Sequence, residues 1–229
     1  MSERFHLAVP PRDGRALLEG DEARHLARVM RARVGDRVTL FDGAGTRWPA
    51  RVAALGRNRV DLVVEAAQVE AEPAATLTLA VALPKGDRQQ WMVEKLTELG
   101  VTRLVPLVTG HGVALPTAAA RERLERAVIE ACKQCGRDRA MAIGDPATVA
   151  EAARGAATGT RLLVADLTGR SLAPVDRVPA ATMVLVGPEG GFTAEETATA
   201  LAAGAERVSL GRHVLRVETA ALAAAARWA

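Results

Sequence analysis

Two glycine-bearing turns in the C-terminal third carry the residues best suited to chemistry. The first, GPEGGFTAEE (187–196), follows the apolar run VLV and sets Glu189 among three glycines and a proline. Thr193 and Glu196 have the T-x-x-E spacing of a capping box, so a helix is predicted to begin there, leaving free backbone N–H and C=O groups in the turn ahead of it. The turn is not a phosphate loop, because no G-K-[ST] follows, and it lacks the G-x-G-x-x-G spacing of a dinucleotide fingerprint. A carboxylate beside it would repel a phosphate, and suits a ligand that is cationic or offers adenine and ribose donors. The second turn, LGRHVLRVETA (210–220), also runs from a strand through a glycine into a helix start, with His213, Arg216 and Glu218 along it. Two such loops leaving consecutive strands of one sheet could clamp one small ligand. His213 receives no chemical role, since a lone histidine of this kind is more often a packing residue.

A third arrangement, Cys132-x-x-Cys135, carries less. A redox pair sits at the start of a helix, where the N-terminus lowers the thiol pKa. Here the pair follows the helical run RERLERAVIEA and falls near that helix's far end. A zinc site would need two further ligands, and no second C-x-x-C or paired histidine accompanies it. No metal is expected.

The cations are almost all arginine, with lysine only at 85, 95 and 133, and arginine forks suit phosphate recognition. Residues 1–60 hold 12 Arg against 7 Asp or Glu, a balance of +5, whereas residues 61–229 balance at −2 within a net +3. A basic N-terminal segment on a near-neutral body fits a nucleic-acid-contacting module, although a solvated arginine face gives the same count. No window approaches a membrane span and the first residues lack a signal-peptide layout, so a cytoplasmic protein is expected.

These residues need elements to position them. RVTLFDGAGTRWPARVAALGRNRVDLVVEAA (37–67) reads as short strands punctuated by Asp42-Gly43, Gly45, Gly56 and Asn58, the pattern of a small β-barrel. Ahead of it, GDEARHLARVMRARVGD predicts a helix capped by Asp21, with Ala23, Leu26, Val29 and Met30 on its apolar face, ended by Gly35-Asp36. A boundary is placed near residue 72, giving domains over 1–72 and 73–229. Beyond it, apolar strands (TLTLAVALP, VTRLVPLVT, TRLLVADLT, TMVLVG, RVSLG) alternate with helices (DRQQWMVEKLTELG closed by Gly100, AAARERLERAVIEACKQCG, TAEETATALAAG, VETAALAAAARWA). That alternation predicts an α/β domain with a parallel sheet covered on both faces.

Taken together, RFHL, HLARVMRARVGDRVTLFDGAG, KGDRQQWMVEKLTELGV, EACKQCGR, GPEGGFTAEE and LGRHVLRVETA resemble, in order and spacing, the motifs of the RsmE family. That family belongs to the SPOUT class and methylates N3 of a single uridine in 16S ribosomal RNA. The resemblance spans nearly the whole chain. It implies a PUA-like β-barrel ahead of an α/β domain whose C-terminal segment threads a trefoil knot, and a homodimer with no membrane association. It also implies S-adenosylmethionine held by Leu185, Val186, Gly187, Pro188, Glu189, Gly190, Leu210, Gly211, Val214, Leu215, Thr219 and Ala220. Arg216 is the candidate stabiliser of a uracil anion, or else a salt-bridge partner of Glu218 or Glu189, and Glu189 is the candidate base. Candidate RNA contacts are Arg4, Arg28 and Arg31, the last two on one expected helix face, with Lys85 and Arg88. The substrate would be 16S rRNA, free or in the assembled small subunit. A different SPOUT methyltransferase, acting on tRNA or a ribose 2′-OH, and a non-catalytic RNA-binding module remain as alternatives. The stretch Gly110-His111-Gly112 departs from the family pattern.

Overall fold

The computed structural model describes residues 3–112, 117–171 and 180–228. The chain forms two compact units, one of Met1–Glu72 with Ile129–Ala140, the other of Pro73–Val128 with Met141–Ala229.

In the N-terminal unit, β1 (Glu3–His6) lies parallel to β3 (Arg37–Phe41), and β3, β4 (Thr46–Leu55), β5 (Arg59–Val64) and β2 (Arg15–Glu19) follow antiparallel. A short β6 (Gln68–Val69) pairs with β4. Alternate residues of each strand, such as Val38 and Leu40, Ala50 and Val52, Val60 and Leu62, turn inward with Phe5, Leu7, Ala23 and Leu26, so the sheet curls around one core. Asp42 closes the β3–β4 turn by accepting the N–H groups of Ala44 and Thr46, with Gly43 and Gly45 in left-handed conformation.

The helix expected over 21–36 is shorter and different in kind. Gly20–Arg24 forms α1, which runs directly into a π-helical turn at His25–Val29. Glu19, not Asp21, occupies the N-cap without a side-chain bond, and Asp21 pairs with Arg24 instead. The wider turn rotates the chain out of the 3.6-residue register after Leu26. Val29 is therefore 70% exposed and Met30 is exposed too. Arg31 adopts φ +53°, so it does not share a helix face with Arg28, although both are exposed.

Arg4 is also corrected. Its side chain is only 12% exposed, donates to the Arg137 carbonyl at 2.9 Å and to Asp138, and lies over the Phe41 ring. It is an internal strut of this unit. Asp138 takes Arg47 as well, at 3.4 Å, and Lys133 donates to Glu22 and Glu130. Ile129–Ala140 is thus tied to this unit by ion pairs that no local pattern announces. Within it Cys132 is buried, and that burial pushes its thiol up to about 11, the opposite of a redox-active cysteine.

The second unit comprises β7 (Thr76–Val81), α2 (Asp87–Glu98), β8 (Arg103–Val108), α3 (Ala118–Cys135, whose last turns belong to the first unit), β9 (Ala142–Ile143), β10 (Ala147–Thr148), α4 (Val149–Arg154), β11 (Arg161–Ser171), β12 (Ala181–Val186), α5 (Ala194–Ala202), β13 (Glu206–Ser209) and α6 (Val217–Ala225). The strand order is β10-β8-β7-β12-β11-β13, every pairing parallel, with β9 on β8. Gly100 at φ +82° ends α2, and the Thr193–Glu196 capping box starts α5. A second capping box, Thr148 with Glu151, starts α4, a helix not expected from the sequence.

One face of the sheet (Ala80, Val105, Val164, Leu185) packs with Val149, Ala152 and Ala153 of α4 and Ala200 of α5. The alternate residues, among them Leu79, Val81, Val184 and Val186, are equally buried, and α6 packs on α2, β7 and β12. After β12 the chain therefore crosses one face through α5, adds β13 on the far side of β11, and returns through α6 beneath the other. It makes a full turn around β11. At the closest approach a Cβ on Gly169 would stand 2.5 Å from the Val208 nitrogen, so a glycine is needed where the two strands press together. Residues 172–179, which join β11 to β12 and close the expected knot, lie outside the described residues.

Removing Arg4 leaves a buried carboxylate only partly compensated by Arg47. Arg4→Ala is expected to cost about 3 kcal/mol of stability, read as a lower denaturant midpoint, while the salt dependence of RNA binding stays as in the wild type. Arg28→Ala with Arg31→Ala should do the reverse, leaving stability alone and reducing the log–log salt slope by roughly 0.7 to 0.9 for each phosphate no longer neutralised.

Candidate functional site

The C-terminal ends of β12 and β13 lie on either side of the middle of β11 because the strands are parallel and adjacent, and this edge is where open α/β sheets bind ligands. A cavity of about 360 Å³ opens there. β12 contributes Val186 and the turn Gly187-Pro188-Glu189-Gly190-Gly191-Phe192; β13 contributes Leu210, Gly211, His213, Val214 and Leu215, with Ala220 from α6. Leu185 is wholly buried in the sheet behind it, and Thr219 lines a neighbouring cavity instead. The third wall, Val164-Ala165-Asp166-Leu167 in the middle of β11, where its register against β13 shifts between Ala165 and Arg170, is not among the residues expected from the sequence. Its signal was available, since these residues end an apolar run at the same edge as the two glycine turns.

Two carboxylates, Glu189 and Asp166, line the cavity, and among the described residues no lysine or arginine does. The Thr168 backbone N–H, then its hydroxyl, hold Asp166 below the ordinary aspartate range, with Arg207 at 3.8 Å adding to the effect. Four glycines in the walls bring main-chain groups into reach of a ligand. A phosphate would meet two negative charges and no counter-charge here. A cation bearing hydrogen-bond donors fits, as a nucleoside sulfonium does.

The β12 turn is held from one side. Gly110 N–H donates to Glu196 Oε1 at 2.8 Å, while Glu196 Oε2 accepts the Thr193 N–H of the capping box. His111 Nδ1 lies 3.1 Å from the Gly191 carbonyl oxygen, and a Cβ on Gly190 would touch the His111 side chain at 3.4 Å. Gly191, at φ +73°, carries the left-handed conformation of the turn. The departure at Gly110–Gly112 thus buttresses the glycine turn.

A second cavity, about 380 Å³, lies between the first turns of α2 and α6 and is lined by Asp87, Arg88, Trp91, Arg216, Glu218 and Thr219. Arg88 joins it to the first: its Nη1 is 3.6 Å from Glu189 Oε1 and 3.3 Å from Glu218 Oε1. The ion-pair partner of both glutamates is therefore Arg88, not Arg216, and Arg88, its side chain 43% exposed, is held between them. Arg216, the exposed N-cap of α6, has no carboxylate within 4 Å among the described residues. Lys85 is exposed just ahead of α2.

The model of an RNA methyltransferase domain matches residues 70–229, and that of an RNA methyltransferase PUA domain matches residues 18–65. This chain belongs to the ribosomal RNA small subunit methyltransferase E family. Its relative from Synechocystis sp. is 32% identical, covering 97% of this chain and 76% of that protein; the one from Mycobacterium tuberculosis is 31% identical over 96% and 88%. The crystal structure of the Neisseria gonorrhoeae enzyme bound to S-adenosyl methionine superposes with a TM-score of 0.89 at 31% identity, covering 99% of this chain and 96% of that one. A methyltransferase from Legionella pneumophila in complex with the same cofactor gives 0.88 at 27%, over 98% and 96%. The fold is accordingly a SPOUT-type methyltransferase domain preceded by a PUA-like barrel. Among the described residues no helix is long and apolar enough to cross a membrane.

Two expectations for the cavity are measurable by calorimetric titration with S-adenosylmethionine. Gly190→Val, whose γ-carbons would run into His111, should weaken binding at least tenfold, more than ~1.4 kcal/mol, with melting temperature nearly unchanged, whereas Gly190→Ala only touches His111 and should bind close to wild type. Asp166 is depressed, so its charge is present at neutral pH and is lost only as pH falls below the ordinary aspartate range. Affinity should therefore stay level from pH 8 to pH 5; a decline centred near pH 6 would remove Asp166 as the controlling charge.

Proposed function

We propose that this protein is an S-adenosylmethionine-dependent methyltransferase acting on N3 of one uridine in 16S ribosomal RNA, as a cytoplasmic homodimer, with residues 1–72 serving as the RNA-gripping domain and 73–229 as the catalytic one. The observation that carries the reading is the cavity of carboxylates and main-chain groups between the middle of β11 and the turns after β12 and β13, in a chain whose relatives are named for small-subunit rRNA methylation. Gly187, Glu189, Gly190, Leu210, Gly211, Leu215 and Ala220 would hold the cofactor, with Asp166 added to the set that sequence alone proposes. When bound, the cofactor supplies a methyl group made electrophilic by its sulfonium centre.

The residues of the chain have three tasks. The target base must leave its stack to reach the second cavity, and holding it in line with the methyl group lowers the barrier by several kcal/mol. The N3 proton must go, and Glu189, half-exposed at the junction of the two cavities, is the proposed acceptor, kept in place by Arg88. The negative charge that develops on the uracil ring, shared with O2 and O4, needs a cation. Arg216 lines the cavity, and among the described residues no carboxylate lies within 4 Å of it, so its charge is available to the ring.

Transfer of labelled methyl groups to unmodified small ribosomal subunits and to free 16S rRNA, with the product nucleoside identified by mass spectrometry, tests the reading. N3-methyluridine at one position supports it; cofactor binding with methylation only of tRNA or of a ribose hydroxyl would replace the substrate; no cofactor binding at all would leave an RNA-binding module. Arg216→Ala should lower kcat by about 10² or more with cofactor affinity unchanged, higher pH should recover part of the loss, and Arg216→Lys should keep more activity than Ala. An Ala variant that turns over normally would end the role of Arg216.

A further inference from the structure

A flipped base needs an aromatic or apolar face to replace the neighbours it leaves, and this chain offers few. It has three Phe, three Trp and no Tyr. Phe5 and Phe41 are buried in the barrel unit, Trp48 packs on the core of that unit, Phe192 lies against Gly187 and the sheet core, and Trp228 is half-buried. Trp91 alone among them is exposed, at 47%, and it lines the second cavity beside Arg216. An exposed indole costs apolar surface that nothing in its own unit covers.

We propose that Trp91 is the stacking platform for the target uracil, and that the cavity it shares with Arg216, Asp87 and Thr219 is a base-specific subsite. The inference rests on the methyltransferase reading and extends it to a residue that reading leaves idle. Three features fit a pyrimidine. Trp91 stands one turn along α2 from Asp87, and both line the cavity at the start of that helix. The first turns of both α2 and α6 face the cavity, and their free N–H groups favour a ring that gains negative charge. Arg216 can donate to a carbonyl of uracil, which flanks its one N–H with two acceptors, while cytosine would turn an amino group toward the same cation. Glu218 forms the buried floor, its side chain 8% exposed, one oxygen on Arg88 and Oε2 without a partner among the described atoms. The subsite approaches the first cavity where Arg88 lies 3.6 Å from Glu189, so a base stacked on Trp91 would sit beside the cavity proposed for the methyl donor.

The test uses the full chain and three readouts. Uridine 5′-monophosphate should quench part of the wild-type tryptophan fluorescence, and that part should vanish in Trp91→Phe; cytidine 5′-monophosphate should quench less. With unmodified small subunits, Trp91→Leu should lose roughly 10- to 100-fold in kcat/KM, the range of one base–aromatic stack, and Trp91→Phe should keep most of the activity. Cofactor affinity and sedimentation coefficient should not change in either variant. Quenching that persists in Trp91→Phe, or a Trp91→Leu enzyme that methylates at the wild-type rate, overturns the proposal. A Trp91→Leu protein that sediments as a smaller species, with nucleotide quenching absent from the wild type, assigns Trp91 to a contact between copies and also overturns it. If the wild type fails to methylate any RNA while the uridine quench is present and Trp91-dependent, the assigned function fails and the subsite stands.

Discussion

The turn of the chain around β11 is the constraint from which the site follows. Because every strand of the sheet is parallel and β12 and β13 flank β11, the turns after β12 and β13 and the middle of β11 meet within reach of one ligand. A simple doubly wound order would carry the chain outward and leave the last helix at the periphery. Here α6 is drawn back against β7, β12 and α2, which brings Arg216, Glu218 and Thr219 to the start of α2. The fold thus creates both cavities in one stroke, the first between strand ends and the second between helix starts. Gly169 marks the tightest point, since any side chain there would separate β11 from β13.

Charge is divided between the cavities. Among the described residues the first is lined by carboxylates without a lysine or arginine, whereas the second sets Arg88 and Arg216 beside Asp87 and Glu218. Arg88 lies between two glutamates, so its charge is already spent on them, and the pair Glu189–Glu218 would otherwise place two like charges near each other. Among the described residues Arg216 has no such partner, which is why the two arginines, similar in a sequence, differ in what they can offer a substrate. All these groups are partly exposed except Glu218, so the pairs fix geometry more than they add stability.

What the sequence revealed was local. The capping box at Thr193 and Glu196, the Gly100 stop, the placing of Cys132 and Cys135 near a helix end and the apolar strands of the second unit can all be read within a dozen residues, and each is present. What it hid depends on distant partners. Glu3–His6 is too short and too polar to signal a strand, and is one because β3 lies alongside it. Arg4 looks like a free cation until Asp138, 134 residues away, is brought to it. Arg88 meets Glu218 across 130 residues. The helix expected over 21–36 shows the converse failure: the apolar spacing was real through Leu26, but the π-helical turn breaks the period on which Val29, Met30 and Arg31 were placed.

The departure at Gly110-His111-Gly112 then takes on a physical sense. A turn built from glycines presents its main chain well but has little to hold it, because each glycine gives the unfolded chain more freedom to lose. Here the β8 loop supplies the restraint from outside. The Glu196 carboxylate closes the capping box with one oxygen and takes the Gly110 N–H with the other, while the His111 ring stands against Gly190 and its Nδ1 faces the Gly191 carbonyl. Gly110 has no room for a side chain toward Thr193, since a Cβ would lie 3.0 Å from the Thr193 methyl. A loop free to contact RNA could not also keep this packing. Gly110 and His111 therefore act on the glycine turn after β12, making it rigid before a ligand arrives and lowering the ordering cost of binding.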